Sequence, residues 1–389
     1  MKLAVSRLDL LASLKKIKHG VASRSAVPVL ACVLLSTEAS EPGQDALELV
    51  TTDMERTLYT FLDVQTEVAG SLCVPFAWLC KVLERLRSET VEIEDARGEK
   101  IEAIVRATSG KAVELRSIAY DADDFPWQPH DFPEPFVTLP YEKLIATHNA
   151  VWRAASRDET RPILTGIQTR FEGGCMTMAA TNSYWLAEHS EAVAEAMATS
   201  VVHHSFWKLV CDATKKAKES VLFAVSEERF TASAWVGGVW YEQRTIDGQF
   251  PNYKQLIPEE SVFTYSVELR KADLIEACEV IALTSTKNQP ARFDFSKGKL
   301  MVRAISEEGQ SAVTLLERVP AWEPSQKYSE KDKETPLSPE IGFNHNFLLD
   351  VCASMSAETT TLSLISPLRP GLFNGSENER FLLMPIRVA

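Results

Sequence analysis

The residues whose types and spacing could support chemistry are three carboxylates and a pair of histidines. Asp53, Glu55 and Asp121 could together hold a divalent cation for hydrolysis, as in a metal-dependent hydrolase or nuclease. His203 and His204 could bind a transition metal, but no cysteine lies near them, and successive residues of a strand point to opposite faces. Neither pattern has the ligand spacing of a metal site. We therefore predict no catalytic residue, no metal and no cofactor.

Motifs for other chemistry are missing or incomplete. The chain contains no G-x-x-x-x-G-K-[ST] phosphate loop and no G-x-G-x-x-G, G-x-S-x-G or H-E-x-x-H sequence. The acidic segment 121–124 lacks the glycine and the terminal glutamate of a calcium loop, which favours a solvated turn. Seven cysteines are scattered without a C-x-x-C pair, which is typical of reduced, buried thiols.

Composition indicates a soluble globular protein. The 389-residue chain is long enough for two or three domains, and 45% of its residues are hydrophobic and 24% charged. No apolar run approaches the ~20 residues of a membrane span, and the first residues lack the pattern of a signal peptide. These features predict a cytoplasmic protein that does not bind membranes.

The distribution of charge matters more than its sum. A formal net charge of −13 by itself argues against nucleic acid, whose phosphates attract Lys and Arg. However, the basic residues concentrate in segments with helical spacing, so helices that shared one surface would give an acidic protein a basic face. Lys and Arg also favour exposed helix positions in any protein, and composition alone leaves both interpretations open.

Internal repeats indicate three copies of one structural unit. Phe125-Pro126 is echoed by Phe250-Pro251, and the apolar segment ending in Thr52-Asp53 is echoed by the one ending in Thr181-Asn182. Short alternating segments predict strands. Helical spacing predicts two helices in each copy, at 8–17 and 76–86, 141–155 and 206–217, and 269–282 and 346–354.

The repeat predicts an α+β fold of three domains, each with about two helices packed on antiparallel sheet. The predicted domains are 1–134, 135–260 and 261–389. The third is the longest because of a segment at 323–339, whose Lys, Glu, Ser and Pro content favours a solvated loop. Since the repeat would put equivalent helices on the same side of every domain, it also favours the basic face.

Two further segments are distinctive: D-G-x-F-P-x-Y at Asp247–Tyr253 and M-P-I-R at Met384–Arg387. Three further segments match the same family: Ala26–Leu30, Thr51–Glu55 and Leu186-Ala187. Because all five segments occur in the family's order, the chain resembles the β subunit of bacterial DNA polymerase III, the β sliding clamp family, over essentially its whole length. The resemblance implies three repeated clamp domains and a head-to-tail homodimer that forms a six-domain ring, with helices lining the hole. It also implies a replication processivity factor that encircles double-stranded DNA, slides without sequence specificity and recruits DNA polymerase and clamp-loader subunits through short peptides.

The resemblance further implies positions that contact DNA. Arg24 and Arg161 stand at matching places, and Arg157 lies close to Arg161. The family often has further basic residues where this chain has His203-His204-Ser205. We expect the following helix to supply replacements, namely Lys208, Lys215 and Lys216.

Clamp partners insert a peptide with Leu or aromatic anchors into an apolar pocket between the second and third domains, beside the C terminus. The family usually has Asp-Gly-His-Arg where this chain has Asn182-Ser183-Tyr184-Trp185, and Gln255 replaces an arginine. We predict a narrowed, less positive pocket with altered peptide preference; alternatively, both aromatic side chains pack against the core. The matching positions are Leu164, Thr181, Ser183, Tyr184, Trp185, Leu186, Pro251, Gln255, Leu256, Met384, Pro385, Ile386 and Arg387.

For ring closure, the resemblance implies that a sheet edge of the first domain pairs with one of the third, flanked by complementary charges. The residues that fit this scheme are Arg97, Lys100, Arg106 and Lys111 on one side and Glu307 and Glu308 on the other. The favoured function is a non-catalytic DNA sliding clamp. The alternatives are a clamp-like regulator, an accessory clamp of altered partner specificity, and the metal-dependent hydrolase or nuclease named first.

Overall fold

The computed structural model describes residues 1–22, 26–38, 45–109, 111–126, 137–283, 290–306, 309–320, 322 and 339–387. The predicted solvated loop at 323–339 therefore falls, apart from Pro339, outside the described residues. Contacts divide the chain into two units. Unit 1 comprises Met1–Leu139 and Asp212–Thr245, and unit 2 comprises Pro140–Cys211 and Ile246–Ala389.

The predicted helices are all present, with starts shifted by two residues or fewer. Their first turns follow residues that stop a strand or cap a helix: Pro75 and Pro140 precede two of them, and the Asn344 side chain accepts hydrogen bonds from the Asn346 and Phe347 amides. The α-helices in the described residues are α1 Arg7–Ile17, α2 Phe76–Arg85, α3 Tyr141–Val151, α4 Pro162–Thr165, α5 His204–Ala217, α6 Lys271–Ala282 and α7 His345–Ser354.

Strands form most of the remaining regular structure. In the first part of the chain they are β1 Lys2–Ser6, β2 Cys32–Ser36, β3 Ala46–Thr52, β4 Arg56–Asp63, β5 Gln65–Val68, β6 Ser71–Pro75, β7 Thr90–Arg97, β8 Ile101–Ser109, β9 Lys111–Ile118 and β10 Val137–Leu139. The next are β11 Gly166–Glu172, β12 Cys175–Thr181, β13 Trp185–Ala192, β14 Ala198–His203, β15 Val221–Ser226, β16 Thr231–Val236 and β17 Val239–Arg244. The last are β18 Tyr265–Arg270, β19 Ala291–Asp294, β20 Leu300–Ser306, β21 Gly309–Leu316, β22 Glu340–Phe343, β23 Thr359–Leu364, β24 Gly371–Asn374 and β25 Glu379–Leu383.

Unit 1 holds two antiparallel sheets. One has the strand order β5-β1-β7-β8-β9, and the other has the order β10-β15-β16-β17-β4-β3-β2-β6. Helices α1 and α2 pack against each other, and the apolar side of α1 (Leu10, Leu14, Ile17) is fully buried. The buried Thr51 hydroxyl donates to the Ile17 carbonyl at 2.7 Å, which ties the end of α1 to β3.

Unit 2 also holds two antiparallel sheets. The larger has the order β14-β11-β12-β13-β25-β24-β23-β18, and the smaller has the order β21-β20-β19-β22. Helix α3 packs on β13, and α6 packs against α7. In the larger sheet β13 pairs with β25, which puts Leu186 opposite Leu382. This pairing joins the middle of the chain to its C-terminal strand.

The repeat seen in the sequence is a repeat of structure. In unit 1 the Asp53 side chain accepts hydrogen bonds from the Glu55 and Arg56 amides at 3.1 and 2.7 Å. In unit 2 the Asn182 side chain does the same for Tyr184 and Trp185 at 2.9 and 3.0 Å. In both turns the residue after Asp or Asn has a left-handed backbone, with φ of 78° at Met54 and 76° at Ser183.

The predicted α+β class is confirmed by the antiparallel sheets and their packed helices. The domain boundaries at 134 and 260 stay a prediction. Across the described residues no helix has both the length and the apolar character that a membrane crossing requires. The same part of the chain contains no cluster of three His, Cys, Asp or Glu side chains arranged to hold a metal.

Candidate functional site

The predicted peptide pocket centres on the turn between β12 and β13 in unit 2. Besides the two hydrogen bonds to the Asn182 side chain, the Thr181 hydroxyl donates to the Trp185 carbonyl at 2.8 Å and accepts from the Ser183 amide at 3.2 Å. These bonds hold Ser183 in the left-handed region, which is unfavourable for a residue with a β-carbon. The turn is therefore held in a strained conformation, and it fixes the position of the next residue, Tyr184.

Tyr184 is the exposed aromatic of this turn. Its side chain is 59% exposed, and its ring stacks on that of Phe347 with centroids 5.7 Å apart and planes tilted by 18°. Its carbonyl accepts a hydrogen bond from the Met384 amide at 2.9 Å, and Met384 is itself 41% exposed. Tyr184, Phe347 and Met384 thus form one apolar surface that solvent or a ligand can reach, and we call it the aromatic platform.

Trp185 behaves differently from its neighbour. It is the first residue of β13, is only 1% exposed, and its indole N–H has no hydrogen-bond partner among the described residues. For Trp185 the structure supports the alternative that it packs in the core, whereas Tyr184 lies at the surface. Leu164 and Leu186, also predicted to line the pocket, are buried at 6% and 3% exposure and contribute packing beneath the surface.

The segment after β17 supplies further predicted pocket residues. Phe250 and Tyr253 are buried in a cluster with Leu186 and Leu382, so the segment is anchored on β13 and β25. Pro251 and Gln255 are exposed, and Leu256 is 54% exposed. Leu256 therefore adds a large apolar side chain on the outer side of the anchored segment.

The C-terminal tail provides the remaining predicted residues. The Ile386 amide donates to the Gly342 carbonyl at 2.8 Å, which fixes the tail against β22. Pro385 and Ile386 are half-buried, while Arg387 is exposed. The tail and the turn at residues 181–185 are thus held together by backbone hydrogen bonds, as the Met384–Tyr184 contact demonstrates.

Two contributors were missed in the sequence analysis. Asn182 holds the turn, and an Asn next to a Thr at the end of a strand was a readable signal for it. Phe347 supports Tyr184, and its signal was its position outside the buried stripe of α7, which runs through Leu348, Val351 and Cys352.

The predicted DNA-contacting residues of unit 2 are at its surface. Arg161 is 44% exposed; its guanidinium donates to the Asp158 carboxylate at 3.2 Å and to the Ser183 hydroxyl at 3.1 Å. Hydrogen bonds from Thr160, reinforced by Arg161, hold the pKa of Asp158 below its ordinary value. Arg157 and Lys208 are exposed. Arg161 thus stands at the edge of the pocket turn.

In unit 1, Lys215 and Lys216 are exposed in the last turn of α5. Burial lowers the pKa of His19, and the positive charges of Lys18, Arg56 and Lys216 lower it further. The end of α1 and the end of α5 therefore bring cations close together within this unit. Arg24 lies outside the described residues.

His203 and His204 depart from the expectation that they point to opposite faces. Their ring centroids are 4.4 Å apart with planes tilted by 33°. The expectation was wrong because the strand ends between them: His203 is the last residue of β14 and His204 the first of α5, so strand alternation does not apply.

Two of the predicted ring-closing charges, Arg97 and Arg106, have partners within their own unit. Arg97 pairs with Asp95 at 2.9 Å and with Asp121 at 3.2 Å. Arg106 pairs with Glu94, and with Glu114 at 2.8 Å. Lys100 and Lys111 are exposed, and Glu307 and Glu308 lie outside the described residues. The pairing of these charges with another subunit stays a prediction.

Two outer strands stand next to grooves. β9 is the outer strand of its sheet in unit 1, beside a groove of about 690 Å³ lined in part by Arg106, Val113 and Glu114. β21 is the outer strand of its sheet in unit 2, beside a groove of about 200 Å³ lined in part by Leu315 and Leu316. Outer strands offer unpaired backbone groups to another strand.

Two of the carboxylates considered for a hydrolase, Asp53 and Asp121, accept hydrogen bonds or form an ion pair within the protein. The Asp53 side chain accepts hydrogen bonds within its own turn. Asp121 pairs with Arg97 and accepts from the Asp123 amide at 3.3 Å. These carboxylates act as structural acceptors in the described residues.

Comparison with known proteins gives a consistent answer along the chain. Family profiles for the N-terminal, central and C-terminal domains of the DNA polymerase III beta subunit match residues 1–129, 138–252 and 254–387. The beta sliding clamps of Streptomyces coelicolor and Synechococcus elongatus are 27% and 28% identical, over 414 and 399 aligned residues, with 100% of each chain covered. The crystal structure of the DNA polymerase sliding clamp from Caulobacter crescentus matches with a TM-score of 0.83 at 23% identity, covering 100% of each chain.

Proposed function

Since the chain belongs to the DNA polymerase III β subunit family and is a non-catalytic DNA sliding clamp, we propose that two copies join head to tail into a six-domain ring around duplex DNA. The observation that carries this proposal is the pair of outer strands. β9 and β21 stand in different units, and each has a groove and exposed apolar side chains beside it, among them Val113 and Ile305 at 38% and 47% exposure. Pairing β9 of one subunit with β21 of the other would continue both sheets.

The charged residues near β9 would set the register of this interface. Arg97 and Arg106 are held by carboxylates of their own sheet, so their geometry is fixed before a partner arrives. Exposed ion pairs contribute little affinity individually, and arrays of them mainly select the correct alignment. Glu307 and Glu308 of the partner subunit are the proposed counterparts.

DNA would be held by phosphate contacts that carry no sequence information. The proposed contacts come from the exposed cations Arg157, Arg161, Lys208, Lys215 and Lys216, together with Arg24, which lies outside the described residues. A closed ring does not need to grip the duplex, so a few weak contacts suffice and permit sliding. Since the sequence contains no phosphate loop, we propose that a separate clamp loader supplies the ATP-driven opening.

Polymerase and loader subunits would bind through short peptides at the aromatic platform of unit 2. The platform offers the exposed side chains of Tyr184 and Met384 beside the half-buried ring of Phe347, with exposed Leu256 as a further candidate wall. Large apolar anchors in such grooves dominate binding energy. Trp185 and Gln255 stand where the family usually has arginines, which makes this surface less positive. We propose that partner peptides here depend on an apolar or aromatic anchor and little on acidic residues.

A processivity assay separates a clamp from a clamp-like regulator. Primer extension on a singly primed circular template, with the cognate polymerase and loader, should give longer products when this protein is added. A Tyr184→Ala, Leu256→Ala double variant should dimerise normally and lose the stimulation. A wild-type protein that lowers product length while still forming a dimer would contradict the clamp role and favour the regulator.

The altered peptide preference has its own test. A panel of clamp-binding peptides should show tighter binding for members with an added aromatic anchor than for members with added acidic residues. The ordinary bacterial preference across the panel would rule out an altered specificity and leave the clamp function intact.

A further inference from the structure

Arg161 joins two segments of unit 2 that the proposed function assigns to different ligands. Its Nη1 donates to the Ser183 hydroxyl at 3.1 Å, and its Nε donates to the Asp158 carboxylate at 3.2 Å. Arg161 is a proposed DNA contact, whereas Ser183 lies in the turn that carries Tyr184 of the aromatic platform. The Arg161 side chain is 44% exposed and Ser183 is also exposed, so a ligand can reach the bond between them. A single hydrogen bond therefore connects the two proposed binding surfaces.

The loop that precedes α4 holds the Arg161 end of this connection in place. The Thr160 amide and hydroxyl donate to Oδ1 of Asp158 at 3.1 and 2.6 Å, which fixes the carboxylate that Arg161 contacts. The Arg161 amide donates to the Asp158 carbonyl at 3.1 Å, and the Ser156 amide donates to the Leu164 carbonyl at 2.8 Å. The guanidinium is therefore presented by a closed loop with its own hydrogen bonds.

The Ser183 end of the connection lies at a strained backbone position. Its φ of 76° favours glycine, because a β-carbon is crowded in this region. Thr181 and Asn182 form hydrogen bonds with backbone amides of the turn, whereas the Ser183 hydroxyl bonds to Arg161. The equivalent turn of unit 1 has Met54 at this position, with a φ of 78° and no hydroxyl. The connection to a DNA contact is therefore a property of the unit 2 turn and is not required by the turn itself.

A DNA phosphate competes with Ser183 for this guanidinium. Bidentate contacts between Arg and phosphate use two parallel N–H groups, and each such edge of a guanidinium includes either Nε or Nη1. The Asp158 carboxylate beside Nε repels a phosphate, which therefore approaches the edge that includes Nη1. The neutral Ser183 hydroxyl is a weaker acceptor than an anion, so it is the partner that a phosphate displaces.

We propose that Arg161 is a positioning residue for the aromatic platform as well as a DNA contact, and that duplex DNA weakens peptide binding by drawing Arg161 away from Ser183. The inference rests on the proposed DNA and peptide surfaces and deepens them. Because Tyr184 follows Ser183 directly, the platform is less ordered without this bond, and a peptide must order it on binding. By thermodynamic reciprocity, a bound peptide weakens duplex binding by the same factor.

The size of the coupling follows from the bond that is lost. An exposed hydrogen bond to a neutral acceptor lies at the low end of the usual range, which corresponds to a change of about two- to threefold in either Kd. The hydrogen bonds that Thr181 and Asn182 form within the turn do not involve Arg161, so they remain and limit the loss.

The test uses the full-length protein and a fluorescent clamp-binding peptide with an aromatic anchor, with and without a saturating short duplex of mixed sequence. For wild type, the peptide Kd measured by anisotropy should rise about two- to threefold when the duplex is added. Ser183→Gly and Ser183→Ala should bind the peptide about as weakly without duplex as wild type does with it, and should show no further rise. The alanine variant keeps the β-carbon, which separates loss of the hydroxyl from the added backbone freedom of glycine.

The matched control is a different DNA contact. Lys208 is also a proposed phosphate contact, and among the described residues no hydrogen bond joins it to the turn that carries Tyr184. Lys208→Gln should therefore weaken duplex binding. At a duplex concentration that saturates this variant, its peptide Kd should still rise about two- to threefold.

A wild-type peptide Kd that the duplex lowers or leaves unchanged would overturn the inference and leave both binding surfaces in place. Coupling that persists in Ser183→Gly and Ser183→Ala would also overturn it, since repulsion between the two ligands would then explain the effect. Loss of coupling in Lys208→Gln would do the same. Wild type that binds no peptide, or no duplex, would contradict the proposed function, and the inference would fail with it. Unchanged mass and circular dichroism of each variant control for folding.

Discussion

The turn that carries Tyr184 offers a quantitative test of how the pocket is built. Replacing Asn182 with Ala removes the acceptor of two backbone hydrogen bonds, from the Tyr184 and Trp185 amides. The first bond is exposed and the second partly buried, so their contributions fall toward opposite ends of the usual range of about 0.5–1.5 kcal/mol. The sum predicts a loss of about 2 kcal/mol in the free energy of opening this turn.

The unit 1 repeat supplies the control for this variant. Asp53 accepts the same two bonds in the equivalent turn, so Asn182→Asp should retain most of the stability that Asn182→Ala loses. Hydrogen exchange followed by mass spectrometry reads the turn directly, since a loss of about 2 kcal/mol speeds exchange at residues 184 and 185 by about thirtyfold. Exchange that is unchanged in Asn182→Ala, or equally fast in Asn182→Asp, would refute the reasoning that side-chain acceptors hold the platform.

Three further predictions follow from particular side chains. Tyr184→Ala removes one ring of a stacked pair and an exposed anchor surface, so it should weaken binding of a clamp-binding peptide by about 1 kcal/mol. Calorimetry should show this as an increase of about fivefold in Kd. The control is Met197→Ala, at an 89% exposed site, which should leave the Kd unchanged. Phe230 has a φ of 54° and is 67% exposed. Because Asn tolerates this backbone region, Phe230→Asn should raise the free energy of unfolding by about 0.5–1 kcal/mol in urea titration. An unchanged or lowered value would show that the ring makes compensating contacts. Burial lowers the pKa of His189 to about 4, so the unfolded chain binds the proton first and the free energy of unfolding falls as the pH goes from about 6.5 to about 4. His189→Gln should flatten this part of the plot of stability against pH. An unchanged slope would exclude His189 as the source of the pH dependence.

Much of the fold could be predicted from periodicity and turn residues. Helix starts were predicted to the residue where a proline precedes the helix, at Pro75 and Pro140. The start after Asn344 was predicted one residue late. α5 begins at His204, two residues before the predicted start, because the apolar pattern begins only at Phe206 while the backbone turns helical earlier. The Thr-Asp and Thr-Asn echoes proved to be the same turn in both units, since an Asx side chain can cap either backbone.

The site was harder to predict because it depends on which side of a turn a residue falls. Tyr184 and Trp185 are adjacent aromatics, and composition gives no reason to bury one and expose the other. The strand begins at Trp185, whose side chain points into the sheet's packed face, while Tyr184 remains in the turn. Likewise, Arg106 lies opposite Glu114 across the sheet, and only the register between β8 and β9 determines that pairing.

Retention on DNA of different topology tests the central claim most directly. Protein loaded onto a nicked circular plasmid and isolated by gel filtration should stay bound, with a mass in solution of roughly twice 43.3 kDa before loading. Cutting the plasmid once should release the protein, because a ring that encircles DNA without gripping it slides off a free end. Equal retention on circular and linear DNA, or a monomeric mass with no retention on either, would contradict a closed ring.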